Sequence, residues 1–257
     1  MNTIYLTRDQ IDEYQNFAKE QLGFEFNNID LLVTALTHRS YVNEHKRSAQ
    51  IHNERLEFLG DAVLELVVSD YLYRNYNRPE GTMTAWRSAL VRTESIGEAG
   101  EKLGYSPLIR LSKGERNGTD RALASIIADC FEAIIGAIYL DQDYQTAKDF
   151  IYKHIISKAK EIIHGDDWRD PKTYLQEFAQ KIDGVTPQYQ LTGESGPDHD
   201  KTFSIALRVG KYTRGRGTGK SKQDAQEIAA RQGIEYYKSI LTPEELETFR
   251  EQYDNRR

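Results

Sequence analysis

The sequence feature that most constrains the fold is a stretch of nineteen residues, Ala122–Leu140, that is apolar on nearly every side. It reads ALASIIADCFEAIIGAIYL, and its only charged residues, Asp129 and Glu132, are three positions apart and so share one face of a helix. Because a helix that is apolar all round must be buried, the stretch predicts either a core helix or a membrane span. Two central acids would cost about 3 kcal/mol each in a span, and no basic flank marks a topology. We therefore predict a core helix and no membrane partner.

A second apolar stretch, His52–Val68, also carries acids on one face. In HNERLEFLGDAVLELVV, Glu54, Glu57 and Asp61 project within about 60° of one another if the stretch is helical. No basic residue in either stretch is placed to neutralise the acids, since Arg55 points away from them. Half-buried carboxylates that face one another repel, and they take up protons unless a cation lies among them.

These two acidic faces together predict a shared metal site. Ligands that are all oxygen select a hard divalent cation, usually Mg²⁺ where a phosphate completes the coordination shell. A solvated helix face is the alternative interpretation, but such faces carry mixed charges and many more polar residues than these stretches do. The acid pairs are Glu57 with Asp61, and Asp129 with Glu132.

Composition adds the class of protein and its compartment. At 257 residues, with 39% hydrophobic and 29% charged residues, the chain is long enough for two globular domains. The single cysteine, Cys130, and a start without the charged-then-apolar layout of an export signal lead us to expect a cytoplasmic location. The formal net charge of −6 means that a nucleic-acid partner would have to bind a local basic patch.

The apolar periodicity changes along the chain and divides it into a helical part and a mixed part. Residues 1–165 read as helices joined by short polar connections, including one helix from about 144 to 163. The polar break HGDDWRDP marks the predicted domain boundary. Residues 166–241 then read as α-β-β-β-α, with three period-two strands between two helices. Thr242, Pro243 and Glu245 form a capping-box pattern, which predicts a helical extension over residues 242–257.

The chain contains three motifs in order, ALTHRSY, NERLEFLGDAVL and ADCFEAIIGAIYLD. These motifs resemble those of the ribonuclease III family, whose members are Mg²⁺-dependent endonucleases. The α-β-β-β-α part is similar to the family's double-stranded-RNA-binding domain. The resemblance implies a multidomain fold, with an all-α endonuclease domain followed by a small α+β RNA-binding domain. It also implies a homodimer that cuts double-stranded RNA to 5′-phosphate and 3′-hydroxyl products and processes ribosomal and other structured precursor RNAs. Mg²⁺ would be the cofactor, with Mn²⁺ as a substitute.

The same resemblance assigns roles to six acids. The metal-binding residues would be Glu57, Asp61, Asp129 and Glu132, of which Asp61 and Glu132 would be catalytic. Glu54, and Glu80 in the sequence PEG, fall on acids that the family places near the cleavage cleft and the dimer interface. A non-catalytic RNA-binding protein that keeps the fold is the alternative, and the complete set of acids favours the enzyme.

Duplex RNA is recognised mainly by its shape, its 2′-hydroxyls and its phosphates, which calls for polar side chains on one helix and cations at a helix start. The segment from Arg169 to Lys238 has 12 Lys and Arg against 9 Asp and Glu, hence +3, so the basic patch is local. The predicted RNA-binding residues are Thr173, Gln176 and Gln180 on the first helix, His199 in the loop GPDHD, and Lys220 and Lys222 in KYTRGRGTGKSK.

Two other interpretations compete for the basic segment. GTGKS is similar to the end of a phosphate-binding P-loop, but that pattern requires glycine where this chain has Arg214, so we expect no nucleotide cofactor. A solvated basic turn is the other alternative. The chain also departs from the family at Gln223, where a third basic residue is common, which bears on RNA affinity.

Overall fold

The computed structural model describes residues 6–46, 50–165, 168–197 and 200–254. The chain forms two compact units, one of Met1–Asn77 with Met83–Gly165, and one of Asp166–Arg257 with the short segment Arg78–Thr82. In its described residues the first unit is built from helices, and the second combines helices with a three-stranded antiparallel sheet. The predicted fold class is therefore confirmed.

The helices of the first part of the chain follow one another with short connections. They are α1 (Arg8–Phe17), α2 (Ile29–Ala35), α3 (Arg39–Glu44), α4 (Glu54–Asn75), α5 (Glu80–Val91), α6 (Thr93–Leu103), α7 (Lys113–Arg116), α8 (Asp120–Asp141), α9 (Tyr144–His154) and α10 (Ala159–His164). A π-helical turn, Ala18–Leu22, continues α1, and 3₁₀ turns cover Ser106–Leu108 and Ile156–Lys158.

The prediction of one continuous helix from about 144 to 163 is wrong, because the helix is interrupted after His154. A tighter 3₁₀ turn follows and separates α9 from α10. Ile155, Ile156 and Ala159 are all buried around this turn. The apolar period continues through the break, which is why the sequence alone reads as a single helix.

Helices α4 and α8 form the centre of the first unit, and two glycines let their backbones touch. A Cβ atom on Gly60 would overlap the carbonyl oxygen of Glu132, and one on Gly136 would overlap the carbonyl oxygen of Leu56. The side chains of both helices beside this contact are buried, including Leu64 and Phe131. The contact sets the acids of α4 beside the acids of α8.

Helix α8 is long and apolar enough, by length and composition, to cross a membrane. In the structure 61% of its most apolar segment is buried inside the protein, against α4, α6 and the other helices around it. The helix is thus the core helix that its sequence predicts.

The second unit is an α-β-β-β-α module with one more helix. Its elements are α11 (Pro171–Ile182), β1 (Gln188–Ser195), β2 (Thr202–Val209), β3 (Tyr212–Gly219), α12 (Lys222–Ile240) and α13 (Pro243–Asp254). The strands pair antiparallel in the order β1-β2-β3. Gly215 and Gly217 allow α12 to lie directly on β3, since a Cβ at either position would overlap a backbone carbonyl of that helix.

The glycine contact between α4 and α8 yields a test of the fold. We expect Gly60→Ala to lower the free energy of unfolding by about 1–3 kcal/mol, because the added methyl group must push the two helices apart. Urea unfolding followed by circular dichroism measures this change. Gly114→Ala in α7 is the matched control, since a Cβ there would meet only the Ser112 hydroxyl at 3.9 Å, and it should be neutral or slightly stabilising. Equal stability of Gly60→Ala and wild type would contradict the contact.

Candidate functional site

The four acids predicted to bind metal lie within each other's electrostatic influence, two on α4 and two on α8. Burial raises the pKa of Glu57 to about 7, and the negative charges of Asp129, Glu54 and Asp61 add to the effect. Burial likewise raises the pKa of Glu132 to about 8, followed by the charges of Asp61, Glu57 and Asp129. The pKa values of Glu57 and Glu132 are thus each raised by acids of the other helix, which means that the structure brings the two predicted pairs together.

Asp129 differs from its neighbours because a histidine lies near it. Burial raises the pKa of Asp129, and His38 is the group that opposes this rise. The ring nitrogen Nδ1 of His38 accepts a hydrogen bond from the Ser40 backbone N–H (3.3 Å), so the neutral ring carries its proton on Nε2. His38 lies in the motif ALTHRSY, but the sequence alone predicts no role for it. Its position before a helix was visible, whereas its nearness to Asp129 depends on tertiary contacts.

The donor chemistry of these four acids fits a hard divalent cation. Among the described residues, the side chains of these four acids form no hydrogen bond or ion pair, so the carboxylates repel one another wherever they are ionised. No three His, Cys, Asp or Glu side chains in the described ranges already converge tightly enough to hold one metal ion. The acids therefore offer the right ligand atoms in one place, in an arrangement that still has to close around an ion.

Glu54 differs from the four because basic side chains lie beside it. Its carboxylate forms an ion pair with the Arg39 guanidinium (3.2 Å), and His52 Nδ1 lies 3.8 Å away. The prediction from the sequence concerned basic residues within the two acidic stretches, and Arg39 lies outside both. Arg39 belongs to α3, so inspection of the α4 stretch could not find it. Glu80 is the first residue of α5 and falls in the short segment Arg78–Thr82 that groups with the second unit.

Predicted RNA-binding residues on α11 form a polar stripe on one side of that helix. Gln176 and Gln180 are exposed. The Thr173 hydroxyl donates to Asp170 Oδ1 (2.6 Å), which also accepts from the Thr173 backbone N–H and so caps the helix. Thr173 therefore already serves the helix start.

Both predicted lysines of the second unit form ion pairs in the free chain. Lys220 Nζ lies 2.6 Å from Asp200 Oδ1, and Lys222 Nζ lies 3.6 Å from Glu194 Oε1. All four side chains are substantially exposed, and exposed pairs contribute only about 0–1 kcal/mol, so a phosphate can displace them. His199 lies outside the described residues.

Comparison with known families assigns both parts of the chain. A family model described as Ribonuclease-III-like matches residues 28–159, which hold all four acids. A second model, described as Double-stranded RNA binding motif, matches residues 171–237, which hold the polar stripe and both lysines.

Relatives with high identity cover most of the chain. Ribonuclease 3 of Latilactobacillus sakei is 43% identical over 222 residues, which span 86% of this chain and 96% of that protein. Ribonuclease 3 of Protochlamydia amoebophila is 47% identical over 211 residues, spanning 82% of this chain and 86% of that protein. A solved nuclease domain of ribonuclease III from Campylobacter jejuni is 39% identical, with a TM-score of 0.48, and covers 55% of this chain and 97% of that domain. With both family models in sequence and relatives of this identity along nearly their whole length, the chain belongs to the ribonuclease III family of double-stranded-RNA endoribonucleases.

Proposed function

We propose that this protein is a Mg²⁺-dependent, homodimeric endonuclease that cuts double-stranded RNA and leaves 5′-phosphate and 3′-hydroxyl ends. The observation that carries the proposal is the set of four neighbouring carboxylates, three of which, Glu57, Asp129 and Glu132, have raised pKa values that favour a cation among them. Mn²⁺ would substitute for Mg²⁺ because it takes the same oxygen ligands. Ribosomal and other structured precursor RNAs, processed in the cytoplasm, are the proposed substrates.

In this proposal Glu57, Asp61, Asp129 and Glu132 hold the metal. When bound, the ion supplies positive charge to the scissile phosphate and lowers the pKa of a water molecule. The role of the chain is to keep the four carboxylates together, with Asp61 exposed and the other three partly buried, and that partial burial strengthens their interaction with any cation.

Asp61 and Glu132 are the proposed catalytic pair. Asp61 makes the largest charge contribution to the raised pKa of Glu132, so the two carboxylates lie within each other's electrostatic influence across the two helices. Without a metal Glu132 holds a proton to about pH 8, and a bound cation would lower this pKa and leave the carboxylate free to accept a proton or a hydrogen bond. Such a pair suits hydrolysis, in which the attacking water loses a proton and the 3′-oxygen gains one as its bond to phosphorus breaks.

The second unit is proposed to bind duplex RNA on the side that carries the polar stripe of α11 and the start of α12. Thr173, Gln176 and Gln180 would contact the minor groove, and His199 stays a predicted contact there. Lys220 and Lys222 would bind phosphates at the N-terminus of α12, where the helix dipole favours anions. For the division of the chain we propose residues 1–165 as the catalytic domain, 166–241 as the RNA-binding domain and 242–257 as a helical extension.

The homodimer is supported by an exposed apolar face on α4. Phe58, Leu66 and Tyr73 are 78%, 58% and 77% exposed, and their spacing places them within about 80° on one side of the helix. Large apolar side chains this exposed, close together on one helix, are typical of a surface that another protein covers. We propose a second copy of the chain as the covering protein, with Glu54 and Glu80 near the interface and the cleft.

The first prediction concerns Glu132. Glu132→Gln keeps the size of the side chain and removes its charge, so we expect cleavage of a long RNA duplex to fall by about two orders of magnitude or more while duplex binding is retained. Gel-based cleavage with Mg²⁺ and gel-shift binding in EDTA measure the two effects. Asp120→Asn makes the same carboxylate-to-amide change on the same helix and should leave both unchanged. Normal turnover by Glu132→Gln would exclude the four-carboxylate site.

The second prediction concerns pH. In the folded protein Glu57 and Glu132 hold protons to about pH 7 and 8, whereas in the unfolded chain an ordinary glutamate loses its proton near 4.5. Since the folded state binds more protons over this window, its stability should fall as pH rises from about 5 to 9 in EDTA. Thermal unfolding should show this slope, and Glu57→Gln with Glu132→Gln should remove most of it. Adding Mg²⁺ at pH 8 should raise the stability of the wild-type protein but not that of the double variant. An unchanged slope in the double variant would contradict the raised pKa values.

The third prediction concerns the two lysines. Replacing Lys220 and Lys222 together by Ala should weaken duplex binding and lower the slope of log K against log salt by about two units, because two phosphate contacts no longer release counterions. Lys211→Ala, at the opposite end of β3, is the control for a general change in charge. Binding titrations from low to physiological salt measure the slopes. An unchanged slope in the double variant would show that these lysines do not contact phosphates.

A further inference from the structure

Helix α13 lies beyond the residues that match the RNA-binding family model, which end at 237. It starts with a complete capping box, in which Thr242 Oγ1 accepts from the Glu245 backbone N–H (3.2 Å) and Glu245 Oε2 accepts from the Thr242 backbone N–H (2.8 Å). Such a box defines where a helix begins. The helix therefore has a fixed start directly after α12.

Aromatic rings join α13 to α11 and α12. Phe249 of α13 stacks on Phe178 of α11, with ring centroids 3.9 Å apart and an angle of 9° between the rings. Phe178 also lies parallel to Tyr237 of α12, with ring centroids 5.7 Å apart and an angle of 1°. Phe178 thus contacts a ring from each neighbouring helix. Tyr253 extends the contact along α11, with its ring 4.9 Å from that of Tyr174.

A buried ion pair ties the end of α13 to the residues just before α11. Arg169 Nη2 lies 3.0 and 3.1 Å from the two carboxylate oxygens of Asp254, and Arg169 is only 4% exposed. Its guanidinium also lies over the rings of Trp168 and Tyr174, at 4.2 and 5.0 Å from their centroids. A buried guanidinium that loses its carboxylate is strongly destabilising, so this pair fixes the register of α13 along α11.

These contacts divide the surface of α11 into three stripes. Leu175 and Ala179 are buried in the module core, where α11 packs against α12 and Leu175 lies beside Gly233. Tyr174, Phe178 and Lys181 face α13, where Lys181 Nζ donates to Gln252 Oε1 (2.6 Å). At 100° per residue, the polar stripe of Thr173, Gln176 and Gln180 points roughly 130° away from the α13 stripe. Helix α13 therefore packs against α11 without covering the polar stripe that is proposed to bind RNA.

We propose that α13 is a positioning element for RNA binding. By holding Phe178 against Tyr237 and by pairing Asp254 with Arg169, it fixes the rotation and height of α11, and so the geometry of the polar stripe relative to Lys220 and Lys222. Minor-groove contacts and phosphate contacts must be made together on one rigid duplex, so a shift of α11 weakens binding even where every contacting side chain is intact. This inference rests on the proposed RNA-binding surface of the second unit.

The test uses the full-length chain with Phe249→Ala, and Phe249→Leu as a milder variant that keeps an apolar side chain but removes the ring. Glu251→Ala is the matched control, because Glu251 is exposed on the same helix. Duplex binding is measured in EDTA well below the thermal transition, with folding checked by circular dichroism at the same temperature, and cleavage is measured with Mg²⁺. We expect the Kd and the KM of Phe249→Ala to rise by about tenfold, which corresponds to about 1.4 kcal/mol. Its kcat and salt slope should stay at wild-type values, Phe249→Tyr should restore binding, and Phe249→Leu should be intermediate.

A purely stabilising role would give a different pattern. In that case Phe249→Ala and Phe249→Leu would lower the thermal midpoint, yet bind duplex RNA at low temperature with the wild-type Kd, and the proposal would fail. If Phe249→Ala does not fold, wild-type binding by folded Phe249→Leu overturns the proposal in the same way. Gln176→Ala with Gln180→Ala separates this inference from the one beneath it. If that pair leaves the Kd unchanged, the proposed RNA surface on α11 is wrong; if it weakens binding while the Phe249 variants do not, only the positioning role is wrong.

Discussion

The contact between the backbones of α4 and α8 at Gly60 and Gly136 is the constraint on which the catalytic half depends. It brings the segment that carries Glu57 and Asp61 against the segment that carries Asp129 and Glu132. Mutual repulsion opposes this arrangement wherever the carboxylates are ionised, and their acidic neighbours accordingly help to raise the pKa values of Glu57 and Glu132. Burial of the apolar side chains of the same two helices offsets it, since each contributes about 1.5–3 kcal/mol. The core thus holds together charges that would otherwise separate.

The features of this site that are local in the sequence could be predicted, and those that depend on long-range contacts could not. Both features that define the cluster, an apolar helix and acids three or four residues apart, are local, so spacing alone was enough to place each pair of acids on one face of its helix. The fold class followed from the change of period near residue 165 for the same reason. What escaped prediction depends on residues far apart in the chain. Arg39 reaches Glu54 from another helix, His38 approaches Asp129 across more than ninety residues, and no local pattern marks either contact.

The break after His154 and the packing of α13 are two further features that local sequence patterns do not determine. At Ile155 the apolar period continues while the backbone changes, because core packing selects the geometry there. At α13 the capping box predicted that a helix begins, but the stacking of Phe249 on Phe178 and the pairing of Asp254 with Arg169 required the folded module. For α13 the sequence therefore predicts the helix but not the helix against which it packs. The four metal-ligand candidates lie between these extremes, because their spacing was readable but the closeness of the two pairs depended on two glycines.

Docking α13 by one side leaves its opposite side facing solvent, and that side is rich in carboxylates. Glu244, Glu247 and Glu251 are exposed there, while Phe249 and Tyr253 face the module. The phosphate backbone of a nucleic acid that approached from this side would meet like charge, whereas at the start of α12 it meets lysines. The small module is therefore polarised in charge, attractive on one flank and repellent on another. Charge separated in this way favours one orientation of an approaching polyanion before any contact is formed, because attraction and repulsion act on it together.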